Sequence, residues 1–242
     1  MIEIQNLTVS FGGVSALRDV SITLIEPIVG VIGPNGAGKT TLLNVFSGFV
    51  QSETGRILAH GADLLRMKPH LRTRWGLRRA FQTEQVVEDL SAADNIRTGL
   101  DSLPFSRAEK DAEIRRALDF VGLAGQANVM GASLNSFERR MVEIAKAVSG
   151  RPKVILLDEP AGGLSQHETE ALKRVILGIH GVCGAMTLLI DHDVELIATT
   201  CVETMVLDFG TLIASGPTAA VLRDERVKAA YLGIDESEAE AA

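Results

Sequence analysis

Gly33-Pro34-Asn35-Gly36-Ala37-Gly38-Lys39-Thr40 fits the pattern G-x-x-x-x-G-K-[ST], and its flanks give the pattern physical meaning. The apolar run Ile28-Val29-Gly30-Val31-Ile32 reads as a buried strand leading in; Thr41-Leu42-Leu43-Asn44-Val45-Phe46 reads as a helix leading out. In that order the glycines let successive backbone N–H groups turn inward around an anion, and the helix start adds the positive end of its dipole. Residues 33–41 are therefore the candidate nucleotide-binding segment. Lys39 is placed to reach the β- and γ-phosphates, and the Thr40 hydroxyl to ligate Mg²⁺.

With 242 residues and 46% hydrophobic content, the chain can bury one substantial core, as one large domain or one domain carrying an inserted subdomain. The net charge of −7 and the lack of a basic run argue against a nucleic-acid partner. No apolar stretch approaches the ~20 residues that cross a bilayer, and the start at Met1 has neither a basic nor a long apolar leader, so a soluble cytoplasmic chain is expected. Cys183 and Cys201 have no metal-ligand or redox spacing and read as small core hydrophobes without a disulfide. Residues 235–242 read as a solvated, frayed end.

Residues 1–11 alternate apolar and polar, the period-2 mark of a half-buried strand, and Gly12-Gly13 turns the chain. Residues 20–24 and 55–61 repeat the pattern, which predicts a small antiparallel sheet beside the nucleotide core. Residues 91–100, 106–121 and 136–148 favour helix, with Ser106 and Glu109 spaced as a capping box. Strand signals return at residues 154–157, 187–190 and 204–207, with helix over 166–179. Alternating strands and helices around a phosphate loop predict an α/β core with a largely parallel sheet. The expected division is a core at about 1–82 and 151–242 with a helical subdomain at about 83–150.

Val154-Ile155-Leu156-Leu157-Asp158-Glu159-Pro160 is an apolar strand ending in two carboxylates. Side chains alternate along a strand, so the two point apart and serve different roles. Asp158 is expected to hold Mg²⁺, through water, and Glu159 to polarise an attacking water.

The order of phosphate loop, Phe81-Gln82, helical block, Asp158-Glu159-Pro160 and Leu189-Ile190-Asp191-His192-Asp193 resembles the nucleotide-binding subunit of an ABC transporter. The resemblance runs from Phe11 to Tyr231-Leu232-Gly233. It implies an ATPase that binds ATP with Mg²⁺, in which Phe11 stacks on adenine and His192 contacts the γ-phosphate. Gln82 would touch Mg²⁺ and the attacking water while linking the core to the helical subdomain. By residue chemistry alone Phe11 also reads as a core aromatic, Gln82 as a surface amide and His192 as a satisfied strand-end histidine.

Two segments depart from the family pattern. Where the family carries the signature Leu-Ser-Gly-Gly-Gln, which reaches across a dimer to the partner's γ-phosphate, this chain has Leu134-Asn135-Ser136-Phe137-Glu138. Both glycines are gone, Phe137 resists a left-handed conformation, and Glu138 brings charge toward an anion. Ser165 stands where the family usually has aspartate. The phosphate loop, Asp158, Glu159 and His192 are intact, so an asymmetric heterodimer with a second ATPase subunit is expected rather than a homodimer.

Three further signals are set aside. Asp208-Phe209-Gly210 spells a kinase metal triplet but reads as a hairpin turn. No Asn-Lys-x-Asp guanine motif is present. The arginine cluster of residues 72–79 around Trp75 reads as a solvated face or a membrane-proximal contact rather than a nucleic-acid surface.

Phe11-Gly12-Gly13-Val14-Ser15-Ala16-Leu17, Arg79-Ala80-Phe81-Gln82-Thr83, Glu143-Ile144-Ala145 after an arginine pair, and Lys228-Ala229-Ala230-Tyr231-Leu232-Gly233 resemble the ATPases for uptake of branched-chain amino acids and related small solutes. The resemblance implies transmembrane permease subunits, an extracytoplasmic solute-binding protein, and a place on the cytoplasmic face of the inner or plasma membrane. The lipopolysaccharide-export ATPase is the rival resemblance, and a non-transporting ATP-dependent regulator or scaffold is the alternative of another class.

Overall fold

The computed structural model describes residues 1–232; Gly233 and the expected frayed end at 235–242 lie outside the described residues. In chain order the strands and helices are β1 (Ile2–Phe11), β2 (Val14–Leu24), β3 (Ile28–Ile32), α1 (Lys39–Ser47), β4 (Thr54–Ala59), β5 (Ala62–Asp63), α2 (Pro69–Trp75), β6 (Leu77–Ala80), α3 (Ala92–Leu100) and α4 (Arg107–Phe120). There follow α5 (Ser136–Val148), β7 (Val154–Asp158), α6 (Gln166–Cys183), β8 (Met186–Ile190), α7 (Val194–Thr200), β9 (Glu203–Asp208), β10 (Thr211–Pro217), α8 (Thr218–Val221) and α9 (Glu225–Leu232). The described residues divide into two compact units, 1–69 with 188–232 and 70–187.

The first unit holds the antiparallel sheet β2-β1-β4-β5. Its buried positions, among them Ile2, Ile4, Leu7 and Val9, follow the period-2 pattern of β1. The strand expected at residue 20 begins at Val14, because Phe11 pairs with Val14 across the Gly12-Gly13 turn. A second sheet contributes β10-β9-β3-β8 to this unit. Here β3 and β9 are parallel, and all five residues of β3 are buried, so its sequence is a continuous apolar run rather than an alternation.

In the second unit β6 and β7 pair in parallel, with Arg79 opposite Leu156. The helices begin at side-chain caps: Ser91 for α3, Ser106 for α4, Asn135 for α5 and Ser165 for α6. The capping box read at Ser106 and Glu109 is present. Residues 77–80 escape the sequence reading as a strand, since two arginines occupy the middle of Leu77-Arg78-Arg79-Ala80.

Those arginines correct one expectation. Arg72 and Arg78 are 5% and 8% exposed, so the cluster of residues 72–79 is largely interior rather than a solvated face. Arg78 donates to the carbonyls of Thr73, Leu77 and Gly150, and the Lys153 ammonium lies 4.9 Å over the Trp75 ring. Of Arg72, Arg74, Arg78 and Arg79, only Arg74 is exposed. Cys201 is buried, and burial pushes its thiol up to about 11; Cys183 is half-buried rather than core.

Candidate functional site

In the first unit the loop between β3 and α1 is shaped by two glycines. A Cβ on Gly33, at φ +151°, would stand 2.0 Å from the Leu207 carbonyl oxygen; one on Gly38, at φ +103°, would stand 2.5 Å from that of Ala16. Both backbone conformations and both close approaches exclude a side chain. Gly38 is the N-cap of α1, no acidic residue occupies the first turn, and the loop is pinned by Ala37 N–H donating to the Pro34 carbonyl at 3.2 Å. Lys39 is 6% exposed, and its Nζ donates to the carbonyls of Gly33 at 2.6 Å and Pro34 at 2.9 Å. Its ammonium is thus held inside the turn of the loop, and Thr40 beside it is exposed. A bare helix N-terminus with a fixed cation suits phosphate.

Phe11 ends β1 with 52% exposure, which leaves a ring face for stacking and removes the core-aromatic reading. His192 is exposed in the turn between β8 and α7; the buried Asp191 beside it accepts the Asp193 N–H at 3.0 Å, and Asp193 caps α7.

The Asp208-Phe209-Gly210 turn closes the β9–β10 hairpin, as read, and it also braces the phosphate loop. The Gly210 N–H donates to the Ala37 carbonyl at 3.0 Å, and its carbonyl accepts from Arg18 N–H at 2.8 Å.

In the second unit the paired carboxylates at the end of β7 have different partners. Asp158, 5% exposed, accepts from Arg79 Nη2 at 2.6 Å, an ion pair whose side chains are 7% and 6% exposed. Arg79 also lies 4.7 Å over the Phe81 ring. Glu159, just past the strand, adopts φ +49° and accepts from Gln82 Nε2 at 2.6 Å. A left-handed non-glycine residue costs about 1 kcal/mol, and here it turns the carboxylate off the strand toward the glutamine.

The segment in the signature position starts α5. Ser136 and Phe137 are right-handed helical, so no left-handed conformation is demanded of Phe137. Asn135 Oδ1 accepts the Glu138 N–H at 2.9 Å, and Glu138 Oε2 accepts the Asn135 N–H at 2.9 Å, a reciprocal cap that engages both side chains. Ser165 makes the same kind of cap with Glu168 on α6, a role a hydroxyl fills as well as an aspartate.

Sequence reasoning missed Arg79, Arg140, Glu143 and Lys146. The last three lie on α5 and bond to the segment around Gln82: Arg140 donates to the Phe81 and Gln82 carbonyls, Glu143 accepts from Gln85 N–H, and Lys146 donates to the Gln85 carbonyl. Burial raises the Glu143 carboxyl above its ordinary value and lowers the Lys146 ammonium. In sequence Arg79, Arg140 and Glu143 stood only within segments that carry the family resemblance, with no role read for them, and the spacing of three along α5 was the one physical signal.

Residues 17–162 match the ABC transporter family model. The chain belongs to the ABC transporter family. Residues 211–237 match a second model, the branched-chain amino acid ATP-binding cassette transporter. The chain is 33% identical over 249 residues to the high-affinity branched-chain amino acid transport ATP-binding protein BraF of Pseudomonas aeruginosa, covering 96% of this chain and 98% of that one. It is 34% identical over 235 residues to the lipopolysaccharide export system ATP-binding protein LptB of Escherichia coli K12, covering 96% of each. A solved ATP-binding cassette of an ABC transporter in its ADP conformation superposes with a TM-score of 0.86 at 26% identity, over 97% of this chain and 99% of that one. The protein is thus an ABC ATPase subunit with the cassette fold, a kind of subunit that works with transmembrane permease components. No helix among the described residues is long and apolar enough to cross a membrane.

Proposed function

We propose that this ATPase powers the import of branched-chain amino acids or related small solutes. The observation that carries the reading is the match of residues 211–237 to the branched-chain amino acid ATP-binding cassette transporter model. BraF and the LivG protein of Escherichia coli K12, at 33% and 32% identity, support it; LptB at 34% keeps lipopolysaccharide export as the second reading.

In this reading residues 33–41 and Lys39 hold the phosphates of ATP, Phe11 stacks on adenine and His192 contacts the γ-phosphate. Glu159 takes a proton from the attacking water as Gln82 orients it. The donor set of the Thr40 hydroxyl, the Gln82 amide oxygen and Asp158 is all oxygen, which fits Mg²⁺; one Asp158 oxygen faces Arg79, so its second oxygen, through water, is the one to serve. Bound Mg²⁺ neutralises phosphate charge in such sites. Residues 83–150 act as the helical subdomain that grips the permease. The protein sits on the cytoplasmic face of the membrane, and an extracytoplasmic solute-binding protein delivers the cargo.

The occupied cap at Asn135 and Glu138 and the missing glycines support pairing with a second, different ATPase subunit. Isolation of the subunit from gently solubilised membranes tests the whole reading. Recovery of a two-chain permease with a second ATPase and a binding protein is expected; recovery with a lipopolysaccharide-handling permease, or with no membrane protein, rejects import.

A further inference from the structure

Helix α5 buries a charged stripe where apolar side chains would pack at lower cost. Arg140 and Glu143 are 2% and 3% exposed, and with Lys146 they recur every third residue along one side of the helix. Together they hold the main chain of residues 81–85. Arg140 Nη1 donates to the Phe81 carbonyl at 2.8 Å and Nη2 to the Gln82 carbonyl at 3.0 Å, with Glu84 paired at 3.1 Å. Glu143 Oε1 accepts the Gln85 N–H at 2.7 Å, and Lys146 Nζ donates to the Gln85 carbonyl at 2.9 Å.

The network is incompletely paired within the protein: among the described residues, Arg140 Nε and Glu143 Oε2 are buried and meet no hydrogen-bonding protein group. A half-satisfied buried ionic network stabilises a fold less than well-packed apolar residues of similar volume, so stability does not account for it. It does fix a stretch that has neither helix nor strand, at the point where the Gln82 amide meets Glu159.

We propose that Arg140, Glu143 and Lys146 are positioning residues for ATP hydrolysis: they clamp the main chain of residues 81–85 to α5 and so set the place of Gln82 against Glu159. The inference rests on the roles given above to Gln82 and Glu159.

The test uses the assembled transporter. Glu143→Leu removes the acceptor at similar volume, and Glu143→Gln keeps an acceptor oxygen. Expected for Glu143→Leu is a kcat lower by about tenfold or more with KM for ATP within about threefold, and faster hydrogen exchange at the Gln85 amide. Glu143→Gln restores both. Lys146→Met, at the half-buried end of the stripe, gives a smaller loss of kcat and serves if Glu143→Leu does not assemble. An unchanged kcat in both Glu143→Leu and Lys146→Met, a KM rising in step with the loss, or failure of Glu143→Gln to rescue overturns the inference. Gln82→Ala is measured alongside. If it leaves hydrolysis intact, the reading of Gln82 falls and the inference with it; if it slows hydrolysis while the α5 variants do not, only the inference falls.

Discussion

Arg79 and Asp158 form a buried ion pair whose two members were read separately, if at all, from sequence. Taking two charges out of water is costly, and their attraction offsets that cost only while both are present. Arg79→Ala is therefore expected to destabilise the nucleotide-free chain by about 3–5 kcal/mol, measured by urea unfolding. The double variant Arg79→Met with Asp158→Leu should recover much of the loss, since no lone buried charge remains. A double variant as unstable as the sum of the singles would show the pair to act independently. Asp158 was legible because acidic residues closing an apolar strand stand out; Arg79 was not, because nothing in a sequence says which buried carboxylate an arginine on a neighbouring strand will meet.

Among the elements, the β9–β10 hairpin has a task its sequence did not announce. A Cβ on Gly210, at φ +78°, would lie 2.7 Å from the Ala16 carbonyl oxygen, so the turn must lift and withdraw its N–H from Ala37 in the phosphate loop. Gly210→Ala is expected to cost about 1–3 kcal/mol of stability and to weaken binding of a fluorescent ATP analogue. Gly216→Ala in β10, where φ is +139° and an added Cβ would meet no described atom within 4 Å beyond its chain neighbours, should strain the strand and leave nucleotide binding alone. If both variants bind the analogue equally, the brace is without effect on the loop. The capping boxes make a pH prediction. Hydrogen bonds from the Ser165 side chain and backbone hold the Glu168 carboxyl below its ordinary value. A carboxyl lowered on folding adds stability above its unfolded pKa of about 4.3 and loses it as pH falls through the folded value. Glu168→Gln should accordingly unfold earlier in urea than wild type at neutral pH, and the gap should close on acidification below about pH 4. A gap that widened on acidification would contradict the assignment.

At the scale of the whole molecule the question is what closes over the ATP. With Glu159→Gln blocking proton transfer from water, ATP-bound subunits stay together long enough to weigh. The expected mass in solution is that of the single chain with ATP alone, and that of a pair only when the second ATPase subunit is supplied; a tight homodimer with ATP would count against the asymmetric assembly.

The phosphate loop, the strand ending in Asp158-Glu159, the cap at Ser106 and Glu109 and the alternation of strands and helices around the loop were determined by the sequence alone. Each is a local matter, fixed by backbone conformation, periodicity or a side chain bonding to its own neighbourhood. Tertiary structure decided the rest. It turned a supposed solvated run of arginines into interior partners, and a kinase-like triplet into a brace for the phosphate loop. It also tied Arg140, Glu143 and Lys146 to the residues around Gln82. In sequence that every-third-residue stripe is indistinguishable from a solvated helix face, because whether a charge faces water or a buried carbonyl depends on what packs against it.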